Sequence, residues 1–489
     1  MLFNSHIFML LFLPLLLAGW YFLNWKKKFQ LAQGYLIGMS LWFYAYANLQ
    51  YLWLLLFSCL IGWLLSCLPE KIFSEKGKKV LTGVGCVFHL GLLGYFKYSN
   101  FFLENLNTVF HTDFPMLQIL LPVGISFYTF QQLAYLIDRC RGDAPRDSFF
   151  DYLTFMVYFP QLLQGPILLR SEFMGQLKEP ERRRFHAERF SEGIQFFVFG
   201  LAKKVLLADT LAKAVNYGYS NVSMLDSISA LLLAVGYLTE LYFDFSGYCD
   251  MAVGLGKMIG LEVAENFDAP FHSASVKEFW RRWHMTLGRF FTRYVYIPLG
   301  GNRRGKMRTL CNVMIVMLLS GLWHGAAWTF VLWGFLHGVG MIWDNLEHPH
   351  LPKKWMRQAA TFAYVCMTFV FFRAESIAQG VDVLKSIVSL KWNGFVFQMA
   401  SALDMTEFYM ITKALSMKLP GLLSWFWLGI FVVLIAICFR VLSGEKVSGV
   451  VALKRQKGYG RLYPVLLAVL FTWSIISMTG VSEYLYFSF

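Results

Sequence analysis

Residues 309–343 read TLCNVMIVMLLSGLWHGAAWTFVLWGFLHGVGMIW and contain no aspartate, glutamate, lysine or arginine. A helix needs about 20 apolar residues to cross the hydrocarbon core of a membrane. The run is too long for one crossing, so it predicts a pair of membrane helices or a re-entrant segment. Residues 225–260 form a second overlong, mostly apolar run. For this run we make the same prediction.

Apolar stretches recur along the whole chain. Of the 489 residues, 57% are hydrophobic and 15% are charged, whereas soluble domains average roughly 25% charged residues. A soluble protein with this much apolar surface would aggregate, so the soluble, fibrous and disordered classes are excluded. We predict an all-α, multi-pass membrane protein with about 11 to 14 membrane-spanning or re-entrant helices. The stretches are residues 2–25, 35–68, 80–98, 117–137, 151–169, 192–216, 225–260, 309–343, 359–375, 420–441 and 461–480.

The charge balance is basic. Lysine and arginine number 44 against 30 aspartates and glutamates, which gives a net charge of +14. The excess lies in short tracts between apolar runs, as the positive-inside rule predicts for cytoplasmic loops. Affinity for anionic lipid or for ligand phosphates is the second explanation. No basic soluble domain is available to bind nucleic acid, and the eight cysteines include no C-x-x-C pair. We therefore expect no metal site and no disulfide framework.

Residues 266–308 break the apolar pattern, because lysines and arginines alternate there with phenylalanine, tryptophan and tyrosine. This pattern predicts an amphipathic helix that lies at the membrane interface or enters a re-entrant groove. The loops are too short to form separate soluble domains. We therefore assign the whole chain, residues 1–489, to one membrane domain that contains this basic-aromatic segment.

His324 lies inside the uncharged run, in the sequence SGLWHGAAW at residues 320–328. An ionisable side chain at this depth costs several kcal/mol, so it requires a reason. Burial favours the neutral imidazole, which is the form that a general base for a hydroxyl needs. A catalytic role and a polar contact in the core stay equally open on this evidence. The glycine pairs Gly321/Gly325 and Gly334/Gly338 indicate close helix packing.

His284 precedes His324 by forty positions and follows the sequence FWRRW. This separation allows the chain to fold back and bring both imidazoles to one site. An ordinary interfacial histidine fits the local sequence as well. We interpret His337 as a helix-packing group or as a residue that supports the site.

Two further segments have possible chemical roles. The loop PLGGNRRGK at residues 298–306 combines free backbone amides with cations and is able to hold phosphates, although a basic surface turn explains it too. Asp244 and Asp250 lie in an apolar run. Two roles are open for them, as partners of a buried arginine or histidine or as parts of a proton path. The chain has no G-x-S-x-G, P-loop or H-E-x-x-H sequence, which argues against a serine hydrolase or an ATP-driven pump.

Several longer blocks of the sequence, taken together, resemble the membrane-bound O-acyltransferase superfamily, and within it the bacterial branch of alginate and peptidoglycan O-acetylation subunits. The resemblance covers nearly the whole chain, with the blocks in the family's order. The blocks are MLFNS at 1–5, LPVGISFYTFQ at 121–131, FPQLLQGPI at 159–167, YFDFSGYCDMAVGLGKMIG at 242–260, NFDAPFHSASVKEFWRRWHMTLGRF at 266–290, YIPLGGNRRG at 296–305, GLWHGAAWTFVLWGFLHG at 321–338 and FFRAES at 371–376.

The resemblance implies a ring of tilted helices around a central funnel in the bacterial inner membrane. It also implies acyl transfer, with the family's two histidines at His324 and His284. The donor would be cytoplasmic acetyl-CoA, with no bound cofactor, and the acceptor a hydroxyl of an exopolysaccharide or cell-wall glycan. A separate extracytoplasmic partner with a Ser-His-Asp site would complete the delivery.

Charge and placement alone suggest four residues that would pair with the CoA phosphates, namely Arg281, Arg282, Arg303 and Arg304. Three alternatives remain. One is D-alanyl transfer from a carrier protein toward teichoic acid, in a sister group that also resembles this chain. The second is a transporter that uses His324 with Asp244 or Asp250 as a proton relay. The third is a scaffold that docks a secreted transferase.

Overall fold

The structure, a computed structural model, describes residues 1–47, 49–67, 75–346, 352–442, 446–457, 460, 462–478 and 484–485. Every regular element in these ranges is helical, as the sequence predicted. Six segments are long and apolar enough to cross a membrane, which confirms the multi-pass prediction. They are Phe8–Trp25, Gln50–Cys67, Lys76–Phe110, Ser227–Ile259, Lys306–His324 and Pro420–Val441.

The α-helices are α1 (Leu13–Trp25), α2 (Phe29–Ala47), α3 (Leu52–Cys67), α4 (Glu75–Leu93), α5 (Ser99–Phe110), α6 (Ile125–Arg141), α7 (Phe149–Val157), α8 (Phe159–Leu162), α9 (Arg170–Leu177), α10 (Ala187–Ala202), α11 (Asp209–Ser220), α12 (Ser227–Ile259), α13 (Val276–Arg282), α14 (Met285–Phe291), α15 (Lys306–His324), α16 (Trp328–Asn345), α17 (Lys354–Arg373), α18 (Ile377–Val388), α19 (Phe395–Ser401), α20 (Tyr409–Lys418), α21 (Pro420–Leu442), α22 (Val447–Lys457) and α23 (Leu462–Ile476). Short π-helical turns at Phe8–Phe12, Gly94–Tyr98, Lys203–Ala208 and Thr292–Tyr296 adjoin several of them.

The chain divides into two compact units. The first comprises residues 1–198, 248–266 and 286–298, and the second comprises residues 199–247, 267–285 and 299–489. The assignment of the whole chain to one membrane domain stays a prediction. Both histidines that the sequence singled out lie in the second unit.

The first unit has an aromatic core. The rings of Phe12 and Phe43 each lie within 6 Å of the Phe159 ring, at 5.4 Å in both cases. Phe3 and Phe8 extend the cluster, with ring centroids 5.0 Å apart. All five side chains are buried, and aromatic pairs at such distances add roughly 0.5–1.5 kcal/mol each beyond the area that they bury.

Charged side chains also pair within the first unit. The guanidinium of Arg293 lies 3.0 Å from Asp138 and 2.9 Å from Asp143. The hydroxyl of Tyr294 donates to the second oxygen of Asp138 at 2.9 Å. Asp138 is buried, and these donors satisfy its carboxylate, which would otherwise be costly to bury.

In the second unit, residues 309–343 form two helices in a hairpin, of which the first is long and apolar enough to cross a membrane. Helix α15 ends at His324 and α16 begins at Trp328. A Cβ atom at Gly321 would collide with the carbonyl oxygen of Phe330, and one at Gly334 with that of Met317. The glycines therefore allow the two backbones to approach closely, as their spacing indicated.

The prediction was wrong for residues 225–260, which form one continuous helix of 33 residues, α12. The helix stays intact because its small residues let neighbours pack against it. Gly247 lies against the carbonyl oxygen of Gly200 in the second unit, and Gly254 against that of Gly193 in the first. In the most apolar 18-residue stretch of α12, 78% is buried within the protein. Its extra length is therefore accommodated by protein contacts, and no second crossing is needed.

Residues 266–308 form two short helices, α13 and α14, instead of one long amphipathic helix. The helical conformation is interrupted between them at Trp283 and His284. Phe279, Trp283 and His284 are all buried. The aromatic side chains named here therefore pack inside the protein. The polar composition of residues 266–308 comes from the arginines.

Candidate active site

His324 ends helix α15 inside an aromatic enclosure. Its ring centroid lies 4.9 Å from that of Trp323, 5.1 Å from Trp333 and 5.1 Å from Phe372. The side chain is 4% exposed. These rings exclude bulk water from the imidazole, which keeps it available to take a proton from a bound hydroxyl.

The glycines beside His324 determine its position. Gly325 follows the helix end in an extended conformation, with φ −159° and ψ 152°. A Cβ atom at Gly325 would collide with the ring of Phe330. A bulkier residue here would move either the turn or the phenylalanine. The sequence GLWHG therefore holds the imidazole at the tip of the hairpin by close backbone contact.

His284 has an unusual backbone conformation. Helix α13 ends at Arg282, Trp283 is extended with φ −104° and ψ 129°, and His284 has φ +46°. This left-handed conformation costs a residue with a Cβ atom roughly 1–2 kcal/mol. Strained residues of this kind concentrate at functional sites, where the surrounding structure holds them. The functional role of His284 stays a prediction.

The surroundings of His284 are apolar. Its ring lies 4.8 Å from that of Phe245, in an edge-to-face contact, and 6.1 Å from that of Trp323. Burial lowers the pKa of the His284 imidazole to about 3. The ring is therefore neutral at pH 7 and carries one N–H donor.

The two histidines meet at one tryptophan. Trp323 precedes His324 in α15 and its ring also contacts that of His284. The fold therefore brings the two histidines close together although forty positions separate them in the sequence. The sequence permitted this arrangement but did not require it. The structure therefore gathers the two predicted histidines in one aromatic cluster of the second unit.

His337 has both ring nitrogens engaged. Its Nδ1 atom lies 3.2 Å from the indole Nε1 of Trp280, and its Nε2 atom lies 2.9 Å from the hydroxyl of Thr368. An indole N–H can only donate, so Nδ1 is the acceptor and Nε2 carries the proton. Thr368 in turn donates to the carbonyl oxygen of Val365 at 2.7 Å. This chain of hydrogen bonds agrees with both interpretations of His337, as a helix-packing group and as a residue that supports the site.

A cavity of about 550 Å³ adjoins the histidine cluster. Phe372, which contacts His324, belongs to its lining, and so does Ala327 from the turn after His324. Among the described residues, the lining is partly charged and partly apolar, and its charged members are Lys204, Asp209, Glu240, Asp244, Arg373 and Glu375. A cavity of mixed character therefore lies one side chain away from the candidate base.

Asp244 has a partner that the sequence did not identify. The ammonium group of Lys204 lies 2.6 Å from Asp244 and 2.7 Å from Asp209. Lys204 is buried within the predicted apolar stretch 192–216. Its position there was a signal for a buried acidic partner. Asp250, the other carboxylate of that run, belongs to the first unit.

The four arginines suggested for CoA lie at two places. Arg281 and Arg282 end α13, where Arg282 pairs with Glu278 at 2.9 Å. Arg303 and Arg304 are exposed in the turn before α15. That turn lies at the opposite end of α15 from His324, roughly 28 Å away at 1.5 Å per residue. A ligand that reached both the turn and His324 would have to be long, and the CoA-binding role stays a prediction.

Comparison with known proteins places the chain in a family. The model of the membrane-bound O-acyltransferase family matches residues 141–375. The chain is 35% identical over 423 residues to a peptidoglycan O-acetyltransferase of Helicobacter pylori, with 80% of each chain covered. It is 39% identical over 389 residues to a probable alginate O-acetylase of Azotobacter vinelandii, covering 77% of this chain and 76% of that protein.

A teichoic acid D-alanyltransferase of Streptococcus thermophilus is a more distant relative. It is 28% identical, with 49% of this chain and 58% of that protein covered. The relatives and the six apolar helices together confirm a multi-pass protein of the bacterial inner membrane. The chain belongs to the membrane-bound O-acyltransferase family and is, as the sequence predicted, an acyltransferase enzyme.

Proposed function

We propose that this enzyme transfers acetyl groups from cytoplasmic acetyl-CoA to hydroxyls that serve the O-acetylation of an exopolysaccharide or cell-wall glycan. The observation that carries this proposal is the meeting of His284 and His324 at Trp323. Two relatives that are 35% and 39% identical to this chain over the aligned residues are named for O-acetylation of peptidoglycan or alginate. The histidine pair thus supports acyl transfer, and the names of the relatives favour an acetyl group and a polysaccharide.

The reaction needs one base and one stabilising donor. His324 accepts the proton of the acceptor hydroxyl as its oxygen attacks the thioester carbonyl. The N–H of the neutral His284 donates to the oxygen on which negative charge develops. The carbon–sulfur bond then breaks, and the proton passes from His324 to the departing thiolate. The products are an acetyl ester and free CoA.

The basic helix ends indicate the side of the membrane from which the acyl donor, acetyl-CoA, enters. Helix α15 begins with Lys306 and Arg308, and α17 begins with Lys354 and Arg357. The positive-inside rule assigns these ends to the cytoplasm. The exposed Arg303 and Arg304 then lie where CoA phosphates would arrive, while Arg281 and Arg282 lie at the end of α13, close to His284 in sequence. An extended CoA molecule would follow α15 from this side toward His324.

We propose that an extracytoplasmic partner with a Ser-His-Asp site passes the acetyl group to the polysaccharide. The absence of a G-x-S-x-G sequence from this chain supports a division of labour between two proteins. The membrane enzyme would supply the acetyl group, and the partner would supply the covalent serine.

The test uses the purified enzyme in nanodiscs with acetyl-CoA labelled in its acetyl group. Release of free CoA is compared between the wild type, His324→Ala and His284→Ala. We expect His324→Ala to lose roughly 10²–10⁴-fold of turnover, the usual contribution of general acid–base catalysis. His272→Ala is the matched control, because His272 is exposed and lies outside the histidine cluster.

Several outcomes would contradict the proposal. If His324→Ala retained more than about a tenth of wild-type turnover, the imidazole would not be the base. D-alanyl carrier protein is offered in a parallel reaction, since two relatives that cover about half of this chain are named teichoic acid D-alanyltransferases. If the D-alanyl carrier protein supported turnover and acetyl-CoA did not, the enzyme would be a D-alanyltransferase. Flux of a solute without CoA release would instead support the transporter alternative.

A further inference from the structure

Trp333 carries a buried hydrogen-bond donor inside the aromatic enclosure of His324. Its side chain is 1% exposed, and the indole Nε1 atom has no hydrogen-bond partner among the residues that the structure describes. An indole nitrogen can only donate. A buried donor without an acceptor is unfavourable, so such a group in a folded protein requires an explanation.

The donor lies beside the candidate base. The ring centroid of Trp333 is 5.1 Å from that of His324, and the two rings are nearly perpendicular, at 88°. Phe372 contacts both rings, at 5.0 and 5.1 Å. Trp333 and His324 therefore share one apolar environment, in which a hydrogen bond is electrostatically stronger than in water.

His337 is a second imidazole in contact with Trp333, at 4.9 Å, but its hydrogen bonds exclude it as the acceptor. Its Nδ1 atom accepts from Trp280 at 3.2 Å. Its Nε2 atom carries the proton and lies 2.9 Å from the hydroxyl of Thr368, which itself donates to Val365. No lone pair of the His337 ring is left for the N–H of Trp333.

A hydrogen bond from Trp333 to His324 would inhibit the proposed reaction. A neutral imidazole has one unprotonated nitrogen, and the lone pair of that nitrogen takes the proton from the acceptor hydroxyl. A donor bonded to it would occupy the base. The structure shows no such bond, since Nε1 of Trp333 has no partner among the described residues. We therefore expect the acceptor for this N–H to come from a bound substrate.

The helical hairpin holds the donor and the base in fixed positions. Trp333 precedes Gly334 in α16, and a Cβ atom at Gly321 of α15 would lie 3.3 Å from the Cα atom of Gly334. The two backbones therefore meet close to both Trp333 and His324. A donor that is held in place before the reaction stabilises a developing charge without the cost of reorganisation.

We propose that the indole N–H of Trp333 donates to the carbonyl oxygen of the acetyl group during transfer, as a second donor besides His284. The proposal rests on the proposed acetyltransferase function. As the hydroxyl oxygen bonds to the carbonyl carbon, the π electrons of the carbonyl move onto its oxygen, where the two N–H groups stabilise the negative charge. The double bond then re-forms, the carbon–sulfur bond breaks, and His324 passes its proton to the thiolate. Trp333 gives up no proton in this step.

The first experiment removes the N–H and keeps the shape of the ring. Trp333 is replaced by 3-benzothienylalanine, in which a sulfur atom takes the place of the indole N–H. The same replacement at Trp343 of the same helix, which is 61% exposed, is the matched control. We expect the Trp333 replacement to lower kcat for CoA release roughly 10²–10³-fold, the usual effect of removing one such donor, with KM for acetyl-CoA nearly unchanged. A loss smaller than about tenfold would overturn the proposal.

Stability and pH dependence distinguish this role from a structural one. A donor without an acceptor adds no hydrogen bond to the fold, so the Trp333 replacement should melt at the wild-type temperature or above it. The same replacement at Trp280 removes the bond to His337 and should lower the melting temperature. The pH profile of kcat should keep its wild-type shape. A lower melting temperature of the Trp333 replacement would reveal a structural bond, and a shifted pH profile would reveal a bond to His324. Either result would overturn the proposal.

The second experiment observes the carbonyl group directly. The probe is the ketone analogue of acetyl-CoA, in which a CH₂ group replaces the sulfur, so that the enzyme cannot cleave it, and in which the carbonyl carbon is carbon-13. A hydrogen bond to a carbonyl oxygen lowers its infrared stretching frequency. We therefore expect the Trp333 replacement to raise the frequency of the bound ketone and the Trp343 replacement to leave it unchanged.

The outcomes of this experiment separate two failures. Equal carbonyl frequencies in the wild type and the Trp333 replacement, with normal CoA release by the wild type, would overturn the role of Trp333 and leave the acetyltransferase function standing. Absence of CoA release from labelled acetyl-CoA by the wild type would overturn the proposed function itself.

Discussion

The indole N–H of Trp280 donates a hydrogen bond of 3.2 Å to Nδ1 of His337 and thereby fixes the proton of that imidazole on Nε2. Trp280 belongs to α13, the short helix that leads to His284, and His337 belongs to α16. The bond therefore ties the segment that carries one candidate catalytic histidine to the hairpin that carries the other. We therefore expect His337 to act on the site by positioning these two segments.

Replacing His337 should change the rate without changing its pH dependence. His337→Ala leaves Trp280 without its acceptor and Thr368 without its neighbour, which costs roughly 1–3 kcal/mol per buried group. We expect turnover to fall severalfold and the pH profile of CoA release to keep its wild-type shape. His337→Gln should recover part of the loss. A shifted pH profile in His337→Ala would show that His337 itself titrates during catalysis.

The backbone strain at His284 should be measurable as stability. His284→Gly removes the left-handed penalty of roughly 1–2 kcal/mol, whereas His284→Ala retains it. We expect the glycine variant to melt at the higher temperature of the two, with both variants strongly impaired in CoA release. Thermal unfolding in detergent and the CoA assay together provide the comparison. Equal melting temperatures would mean that the backbone relaxes freely at residue 284.

Acid should destabilise the wild type more than His284→Asn. Burial lowers the pKa of His284 to about 3, while an unfolded histidine has a pKa of about 6.5. Once the pH falls below 6.5, His284 therefore binds a proton in the unfolded chain but not in the folded chain. This contribution to stability is fully present above pH 6.5 and is lost as the pH falls toward 3.

At pH 5 the expected loss from His284 is roughly 2 kcal/mol. Asparagine tolerates the left-handed backbone and does not titrate in this range. Melting temperatures of the two proteins between pH 8 and pH 5 test the prediction. Parallel curves would contradict the assigned burial of a neutral imidazole.

An alanine at Gly334 should separate the two helices of the hairpin. Its Cβ atom would collide with the carbonyl oxygen of Met317, a backbone atom that cannot rotate away. Overpacking of this kind costs roughly 1–3 kcal/mol, and we expect a lower melting temperature together with a lower rate of CoA release. Gly429→Ala is the control, since a Cβ atom at Gly429 meets no atom within 4 Å. A Gly334→Ala enzyme with wild-type stability would show that the helices are free to separate.

The parts of the fold that were predictable from sequence are those with local causes. The uncharged run 309–343 and its glycines predicted the hairpin, and the depth of His324 in that run marked it as a candidate. The family's blocks pointed to His284. In each case the signal lies within about thirty residues of the feature.

The remainder depends on contacts between distant residues. No glycine or proline marks the break at Trp283 and His284, where the His284 ring contacts Phe245 of another helix. The pair formed by Lys204 and Asp244 joins residues on different helical segments. The continuity of α12 likewise depends on which elements pack along it. The sequence signals that Lys204 needs an acidic partner, but periodicity and composition do not identify which residue it is.

The close approach of Gly321 and Phe330 across the hairpin has a mechanical consequence. Helices in backbone contact cannot slide or rotate past one another without breaking it, so α15 and α16 must move as one rigid body. Any conformational cycle that opens a passage to His324 must therefore displace Trp333 and His337 by the same rotation. Structures captured at different stages of turnover should differ by movement of the intact hairpin against its neighbours within the second unit, with the geometry at its tip preserved.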